Sequence, residues 1–380
     1  MRQRRLLIAL IVIAAVVAVA AFYAAAPARR LVEAVQLLRA IGEPQPAAGA
    51  PAAAEPENFT FEIAGRFSTA DLYDAAAPER ALIVLVPGLA PDGKDDRRLV
   101  DLALALSRAH FTVLVPDLPS LAAQRVSPEN IRQIADALAY LAAQRDGGQP
   151  YGVAAISYAV GPALLATLEA DLSGKVDFLV GIGGYYDVNA VIAYFTTGQY
   201  RDSAAGPWQR GTPNEFGKWL FVGANLHHVQ DLRDRITLMA IARRRQADPT
   251  ADVGDLVPLL GPEGRAIYDL LANQDPERTG ALVAGLPESL RAELAALDLK
   301  GRDLAGAPRQ VILIHGRDDR IIPASESAAL AAALPPERGH LYLVDSLAHA
   351  DLAPGGWRDL LTLSQAAYRL LQIRDGWDRR

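Results

Sequence analysis

A serine, an aspartate and a histidine, each set just behind a short apolar run, are the residues of this chain best placed to do chemistry together. Ser157 follows YGVAAI (151–156), Asp319 lies in HGRDD behind RQVILI, and His349 lies in DSLAHAD behind HLYLV. A serine hydroxyl attacks poorly until a hydrogen-bonded base takes its proton, and a histidine base needs a carboxylate to fix its orientation. Two backbone N–H groups aimed at a developing oxyanion would complete an acyl-transfer site. The plainer role for Ser157 is to cap the Ala- and Leu-rich helical pattern that follows it, because Ser readily accepts from the first N–H groups of a helix.

What makes these positions informative is the elements around them. ALIVLVPG (81–88) reads as a strand buried on both faces of a parallel sheet, and FTVLVPDL (111–118), the buried YGVAAI, VDFLVGIGG (176–184), RQVILIHG (309–316) and HLYLVDS read as further strands. Helical patterns separate them. DDRRLVDLALALSRAH puts Leu99, Leu102 and Leu106 on one face, SPENIRQIADALAYLAAQ has Ser127 as N-cap and Pro128 in its first turn, and an amphipathic helix closes the chain from Trp357. This alternation predicts a doubly wound, mostly parallel α/β sheet, in which ligands sit beyond the carboxyl ends of the strands. The stretch from about 186 to 306 has helical patterns and no comparable strand run, which predicts a helical cap insertion over one end of the sheet.

The remaining candidates fit less well. His340 precedes its strand and belongs to the opposite pole, His110 ends a helix on the amino side of a strand, and His315 lies where it would pack or bond locally. His227 and His228 fall in the insertion without further ligands at metal spacing, so no metal is expected. Asp318 reads as a turn residue and Asp187, in GGYYD, as a less suitable substitute acid. GIGG (181–184) lacks both the Lys-Ser/Thr of a phosphate loop and the dinucleotide fingerprint. No cofactor is expected, and glycine there is expected to allow close backbone approach beneath the cap.

On these residues the chain resembles the α/β-hydrolase superfamily, in its serine-nucleophile branch, over roughly Phe59 to Trp377. The family's nucleophile elbow appears as Ala155-Ile156-Ser157-Tyr158-Ala159, with Ala where Gly is usual on both flanks. The acid pattern appears as His315-Gly316-Arg317-Asp318-Asp319, and the oxyanion loop as Pro87-Gly88-Leu89, without the usual leading His. The order Ser, Asp, His is that of the fold. The resemblance implies a Ser157, Asp319, His349 triad, oxyanion N–H groups from Leu89 and Tyr158, and an acyl-enzyme formed from a small-molecule ester or related acyl substrate. Serine at 157 argues against relatives that attack with Asp or Cys. A peptidase, an acyltransferase or a non-catalytic binding module on the same fold stay open as alternatives.

Composition narrows the field further. The 380 residues are 51% hydrophobic and 22% charged, an ordinary globular balance. A net charge of −6 offers no basic footprint for nucleic acid, and the lack of cysteine excludes disulfides, thiolate metal sites and a cysteine nucleophile. At the amino end MRQRR precedes an uncharged apolar run from Leu6 to Ala26, long enough to span a hydrocarbon core of ~30 Å. This predicts a single-pass anchor in a lipid bilayer, with Arg2, Arg4 and Arg5 cytoplasmic and the catalytic domain on the extracytoplasmic side. The alternative is a cleaved signal and a secreted or periplasmic protein. ARRLVEAVQLLRA predicts a short amphipathic helix with Leu31, Val35 and Leu38 on one face, and EPQPAAGAPAAAEPEN (43–58) a tether. The expected organisation is therefore a cytoplasmic end and anchor over 1–26, a tether over 27–58, and a hydrolase domain over 59–377 that carries the insertion.

Overall fold

The computed structural model describes residues 27–41, 55–144, 148–203, 205–345, 347 and 356–376. Strands β1 (Glu57–Ile63) and β2 (Arg66–Tyr73) form an antiparallel hairpin turning through Ala64 and Gly65, both at positive φ. The central strands follow as β3 (Ala81–Val86), β4 (Phe111–Pro116), β5 (Tyr151–Ile156) and β6 (Phe178–Ile182). Two short strands, β7 (Gln199–Tyr200) and β8 (Gln209–Arg210), make a separate ribbon within the insertion. The chain then returns to the main sheet as β9 (Gln310–Gly316) and β10 (Gly339–Val344). The order is β1-β2-β4-β3-β5-β6-β9-β10, antiparallel from β1 to β4 and parallel from there to β10. The expected doubly wound, mostly parallel sheet is borne out.

Strand periodicity builds the two layers. Along β3, Leu82, Val84 and Val86 enter one core and Ala81, Ile83 and Leu85 the other, because successive side chains leave a strand on opposite faces. One face is covered by a helix over 27–41 (α1), α2 (Arg97–Arg108) and, at the end of the chain, the helix Trp357–Arg374. Leu99, Leu102 and Leu106 of α2 are buried as their spacing predicts. The other face is covered by α3 (Pro119–Ala122), α4 (Glu129–Ala143), α5 (Val160–Leu168) and the helix Ser325–Ala333. Ser127 Oγ accepts from Glu129 N at 3.2 Å, one residue ahead of Pro128, which occupies the N-cap position of α4.

The insertion between β6 and β9 comprises α6 (Val188–Thr197), α7 (Glu215–Asn225), α8 (Leu232–Ala247), α9 (Pro262–Leu271), α10 (Thr279–Ala284) and α11 (Glu288–Leu297). It has an apolar centre of its own, built on Trp219, Leu238, Ile241 and Val253. Its two ends are joined at a narrow stem. Tyr185 Oη donates to Leu297 O (2.9 Å), Val188 N to Asp298 Oδ1 (3.0 Å), and Lys300 Nζ to Asp187 Oδ2 (2.6 Å). After β9 come α12 (Ser325–Ala333) and α13 (Trp357–Arg374).

Two expectations at the amino end change. In α1 the buried residues are Ala34, Leu37 and Leu38, while Leu31 is half exposed at 52%. The face is chosen by docking against α13, where Arg30 Nε donates to Asp375 Oδ2 (2.7 Å) and Arg374 Nη2 to Glu33 Oε2 (2.6 Å). Leu31, seven residues before Leu38 on nearly the same face, is not covered there. The membrane anchor is also corrected. Among the described residues no helix is long and apolar enough to cross a membrane, and residues 6–26 lie outside them. The single-pass topology, the bilayer as partner and the extracytoplasmic placement therefore have no support in the structure.

Candidate functional site

The parallel strands bring Ser157 and the turn that carries Asp319 to one end of the sheet. Ile156 pairs in register with Ile182, and Ile182 with Ile314, so the residues that follow β5, β6 and β9 emerge side by side. Ser157 is the first of them. It sits between β5 and a short 3₁₀ turn (Ser157–Ala159) that runs into α5, with φ at +57°. That left-handed conformation is unfavourable for any residue with a Cβ, so the surrounding packing must impose it. The flanking Ala155 and Ala159 are almost wholly buried, which shows why small side chains stand on both sides of the serine.

The loop after β3 leans on this turn. A Cβ placed on Gly88 would stand 3.4 Å from Ile156 O and 3.5 Å from Ser157 Cβ, ordinary contact distances that show how closely the loop lies against the serine. Leu89, next in the chain, lines a cavity together with Ser157 and Tyr158. Tyr158 N–H belongs to the first turn of a helix, where backbone donors lack intrahelical acceptors. The Tyr158 phenol is tied elsewhere, accepting from Ser127 N (3.0 Å) and donating to Ser127 O (3.3 Å), and burial raises its pKa.

Asp319 lies in the turn after β9 and is buried, whereas its neighbour Asp318 is exposed. Its Oδ1 accepts from Ile321 N (2.7 Å) and Ile322 N (3.0 Å), which fixes the carboxylate plane. Its Oδ2 lies 3.4 Å from His315 Nε2, and 3.5 Å from where a Cβ on Gly183 would stand. Gly183 is itself at φ +66°, a conformation that glycine adopts freely. Ile321 and Ile322 line the same cavity as Ser157. Asp318 is engaged differently, since its Oδ1 accepts from Leu347 N (3.1 Å) and so binds the chain after β10 to the turn after β9. His349 lies outside the described residues.

That register, the crossover order and the strained serine turn together decide the architecture. The fold is that of the α/β-hydrolases. Several solved structures align with most of the chain. A hyperthermophilic esterase from the archaeon Pyrobaculum calidifontis is 14% identical over 92% of each chain, with a TM-score of 0.46. Est1E from Butyrivibrio proteoclasticus is 12% identical over 84% of this chain and 99% of its own, with a TM-score of 0.43. A 2,6-dihydroxy-pseudo-oxynicotine hydrolase is 13% identical over 83% of this chain and 68% of its own, with a TM-score of 0.47. At such identities the likeness is one of fold. No family model matches the sequence, and no curated protein matches it.

In this α/β-hydrolase fold the other histidines and acids have structural partners. His315 is fully buried; its Nε2 donates to Ile322 O (2.9 Å), and its Nδ1 is 2.7 Å from Ser327 Oγ. His110 Nδ1 is 2.7 Å from Ala76 O, and His340 Nε2 is 2.8 Å from Gln310 Oε1. Asp187 caps α6, accepting from Asn189 N and Ala190 N, and pairs with Lys300. His228 lines the cavity, but its Nε2 is buried 3.0 Å from Glu293 Oε2 in a contact without hydrogen-bond alignment. Burial, before any charge effect, lowers the pKa of His227 and His228 and raises that of Glu293. Among the described residues no cluster of three or more His, Cys, Asp or Glu is arranged to hold a metal.

Glu326 of α12 is a residue that sequence reasoning missed, because nothing in ASESAALAAALP marks it as buried. Its Oε2 accepts from Tyr186 N (3.0 Å) and Asp187 N (2.8 Å) at the root of the cap. Burial outweighs those bonds, and with Asp187 and Asp298 nearby its pKa is pushed up to about 7 from 4.5. A folded pKa above the unfolded one makes a contribution that is complete below the unfolded value and is lost as pH rises through the folded value. Melting temperature is therefore expected to fall between about pH 5 and about pH 8. Glu326→Gln should flatten that slope while keeping the acceptor. Equal slopes in the two proteins would overturn the assignment.

Proposed function

We propose that this chain is a serine hydrolase that cleaves an ester or related acyl bond through an acyl-enzyme on Ser157. The observation that carries the reading is the conformation of Ser157, held at φ +57° at the end of a buried strand and open to an apolar cavity. A helix cap alone gives no reason for a strained backbone, since capping residues ordinarily adopt extended dihedrals. A nucleophile presented on a sharp turn does give one.

In this reading Ser157 Oγ attacks the substrate carbonyl carbon while His349 takes the hydroxyl proton, and Asp319 orients the imidazole. Leu89 N–H and Tyr158 N–H stabilise the oxyanion. Collapse of the tetrahedral intermediate expels the alcohol, protonated by His349, and leaves the acyl group on Ser157. Water, deprotonated by His349, then releases the acid and restores the serine. The rigid bonds from Ile321 and Ile322 to Asp319 support its role as orienting acid, because a carboxylate that rotated would lose the imidazole.

A fluorophosphonate probe tests the reading directly. Folded protein should be labelled on Ser157, and labelling should require His349. Absence of label on folded protein, or label on another serine, would overturn it. The base sets a second expectation. His349 must be neutral to accept a proton, so kcat/KM should rise with pH through an apparent pKa near ~6.5 and then level off. A flat profile from about pH 5 to about pH 8 would count against a histidine base.

A further inference from the structure

The cavity that Ser157 opens into has a volume of about 250 Å³ and is walled by the cap as well as by the sheet. Its lining is aliphatic and aromatic apart from six polar side chains, Ser157 among them. The other five turn their polar atoms away from the space or bury them. Tyr158 is bonded to Ser127, and Tyr185 Oη donates to Leu297 O (2.9 Å). Thr196 Oγ1 donates to Ile192 O (2.8 Å), turning back along its own helix. Asn225 accepts from Val126 N (3.1 Å) and donates to Phe221 O (2.8 Å) and Gln124 O (3.2 Å). His228 Nε2 is buried beside Glu293. Apart from Ser157 and the two proposed oxyanion N–H groups, the described side chains of the wall therefore offer the space little hydrogen bonding, and an occupant with further polar atoms would lose its water without full replacement.

A second cavity, of about 470 Å³, lies beyond this one and is of opposite character, lined by Arg210, Glu215, Lys218, Arg245 and Asn273 among others. Two residues, Thr196 and Leu271, line both spaces. Each is buried, Thr196 at the end of α6 and Leu271 at the end of α9. They form the partition between an apolar chamber that contains the serine and a polar one that does not.

We propose that the apolar chamber takes the hydrocarbon chain of an acyl ester, and that Leu271, with Thr196 beside it, is the stop that sets the length of that chain. The proposal deepens the hydrolase reading and rests on it, since Ser157 and both oxyanion candidates line the same chamber. A chain attached through its acyl carbon to Ser157 runs from the sheet into the cap. It gains by burial until it meets the partition, and a longer chain must either displace Leu271 or fold back.

The test separates this proposal from the reading beneath it by measuring binding without turnover. Full-length Ser157→Ala protein is titrated calorimetrically with methyl esters of saturated straight-chain acids of increasing length. Affinity should strengthen about fourfold per added methylene and then stop at one length. A terminal hydroxyl on the best-fitting chain should weaken binding at least about tenfold. Adding Leu271→Ala should move the stop to longer chains and relax the hydroxyl penalty by opening the polar chamber. Adding Leu271→Trp should move it to shorter ones. Affinity that ignores chain length, or a stop that neither substitution moves, would overturn the proposal. Should the tryptophan variant fail to fold, the alanine variant and the hydroxyl comparison still decide. A clear stop in the Ser157→Ala protein, together with unaltered folded protein that fluorophosphonate does not label, would sink the hydrolase reading and leave the chamber standing. Labelled protein with no length dependence would do the reverse.

Discussion

Ser157→Ala should eliminate fluorophosphonate labelling and lower ester turnover by several orders of magnitude while leaving the circular dichroism spectrum unchanged. The loss is large because the hydroxyl is the atom that becomes covalently bound, and the oxyanion donors alone recover only a small part of the rate. The fold should survive because alanine keeps the Cβ and the buried neighbours Ala155 and Ala159 need not move. A second substitution separates strain from chemistry. Ser157→Gly should be as inactive as Ser157→Ala yet more stable by about 1 kcal/mol, since glycine accepts φ +57° without penalty. Equal melting temperatures for the two variants would mean that the turn stores no strain. Turnover retained in Ser157→Ala would remove the nucleophile from this serine altogether.

Asp319→Asn should cost on the order of 10⁴ in kcat, with little change in KM. The amide presents a donor where the imidazole needs an acceptor, so it stabilises the wrong tautomer. Its neighbour provides the control. Asp318 Oδ1 holds Leu347 N, and Asp318→Asn keeps an oxygen able to accept that bond, so activity should stay within a fewfold of the unaltered protein. Asp187→Asn should likewise keep most activity, because its carboxylate caps α6 and pairs with Lys300 at the cap root. Measuring kcat and KM for all three decides the acid. A dead Asp187→Asn beside an active Asp319→Asn would transfer the role.

The sheet was legible because its central strands are buried on both faces. A run such as ALIVLV, with every position enclosed, leaves few alternatives to a central parallel strand. The β1–β2 hairpin gave a weaker signal for the opposite reason. It is an edge element with mixed exposure, and Phe67 is 72% exposed. The periodicity of α1 showed a helix but not its inward face, since the docking partner Arg374 is more than 300 residues away in sequence. At the site Asp319 is buried and Asp318 exposed, a difference in line with the acid proposed from the register of HGRDD. The cap could be read as helical, but not the chamber it encloses. Which leucines face the serine depends on how α6, α9 and α11 pack against one another, and single-helix patterns do not carry that information. Glu326 was hidden for the same reason, its burial being a property of the cap root rather than of its own helix.

The stem of the cap has a consequence for how such a protein can change over generations. The bonds from Tyr185, Val188 and Lys300 bring the two ends of the insertion together, so the sheet experiences everything between them as a loop already closed. Lengthening a closed loop costs little, because closure entropy grows only with the logarithm of its length. Helices in the cap can be added, lost or repacked, redrawing the chamber, while the strand register beneath stays the same. The turn that carries Ser157 answers to one set of constraints and the walls of the chamber to another. On the proposed reading, the chemistry at Ser157 and the shape of the chamber are thus free to be inherited and altered separately.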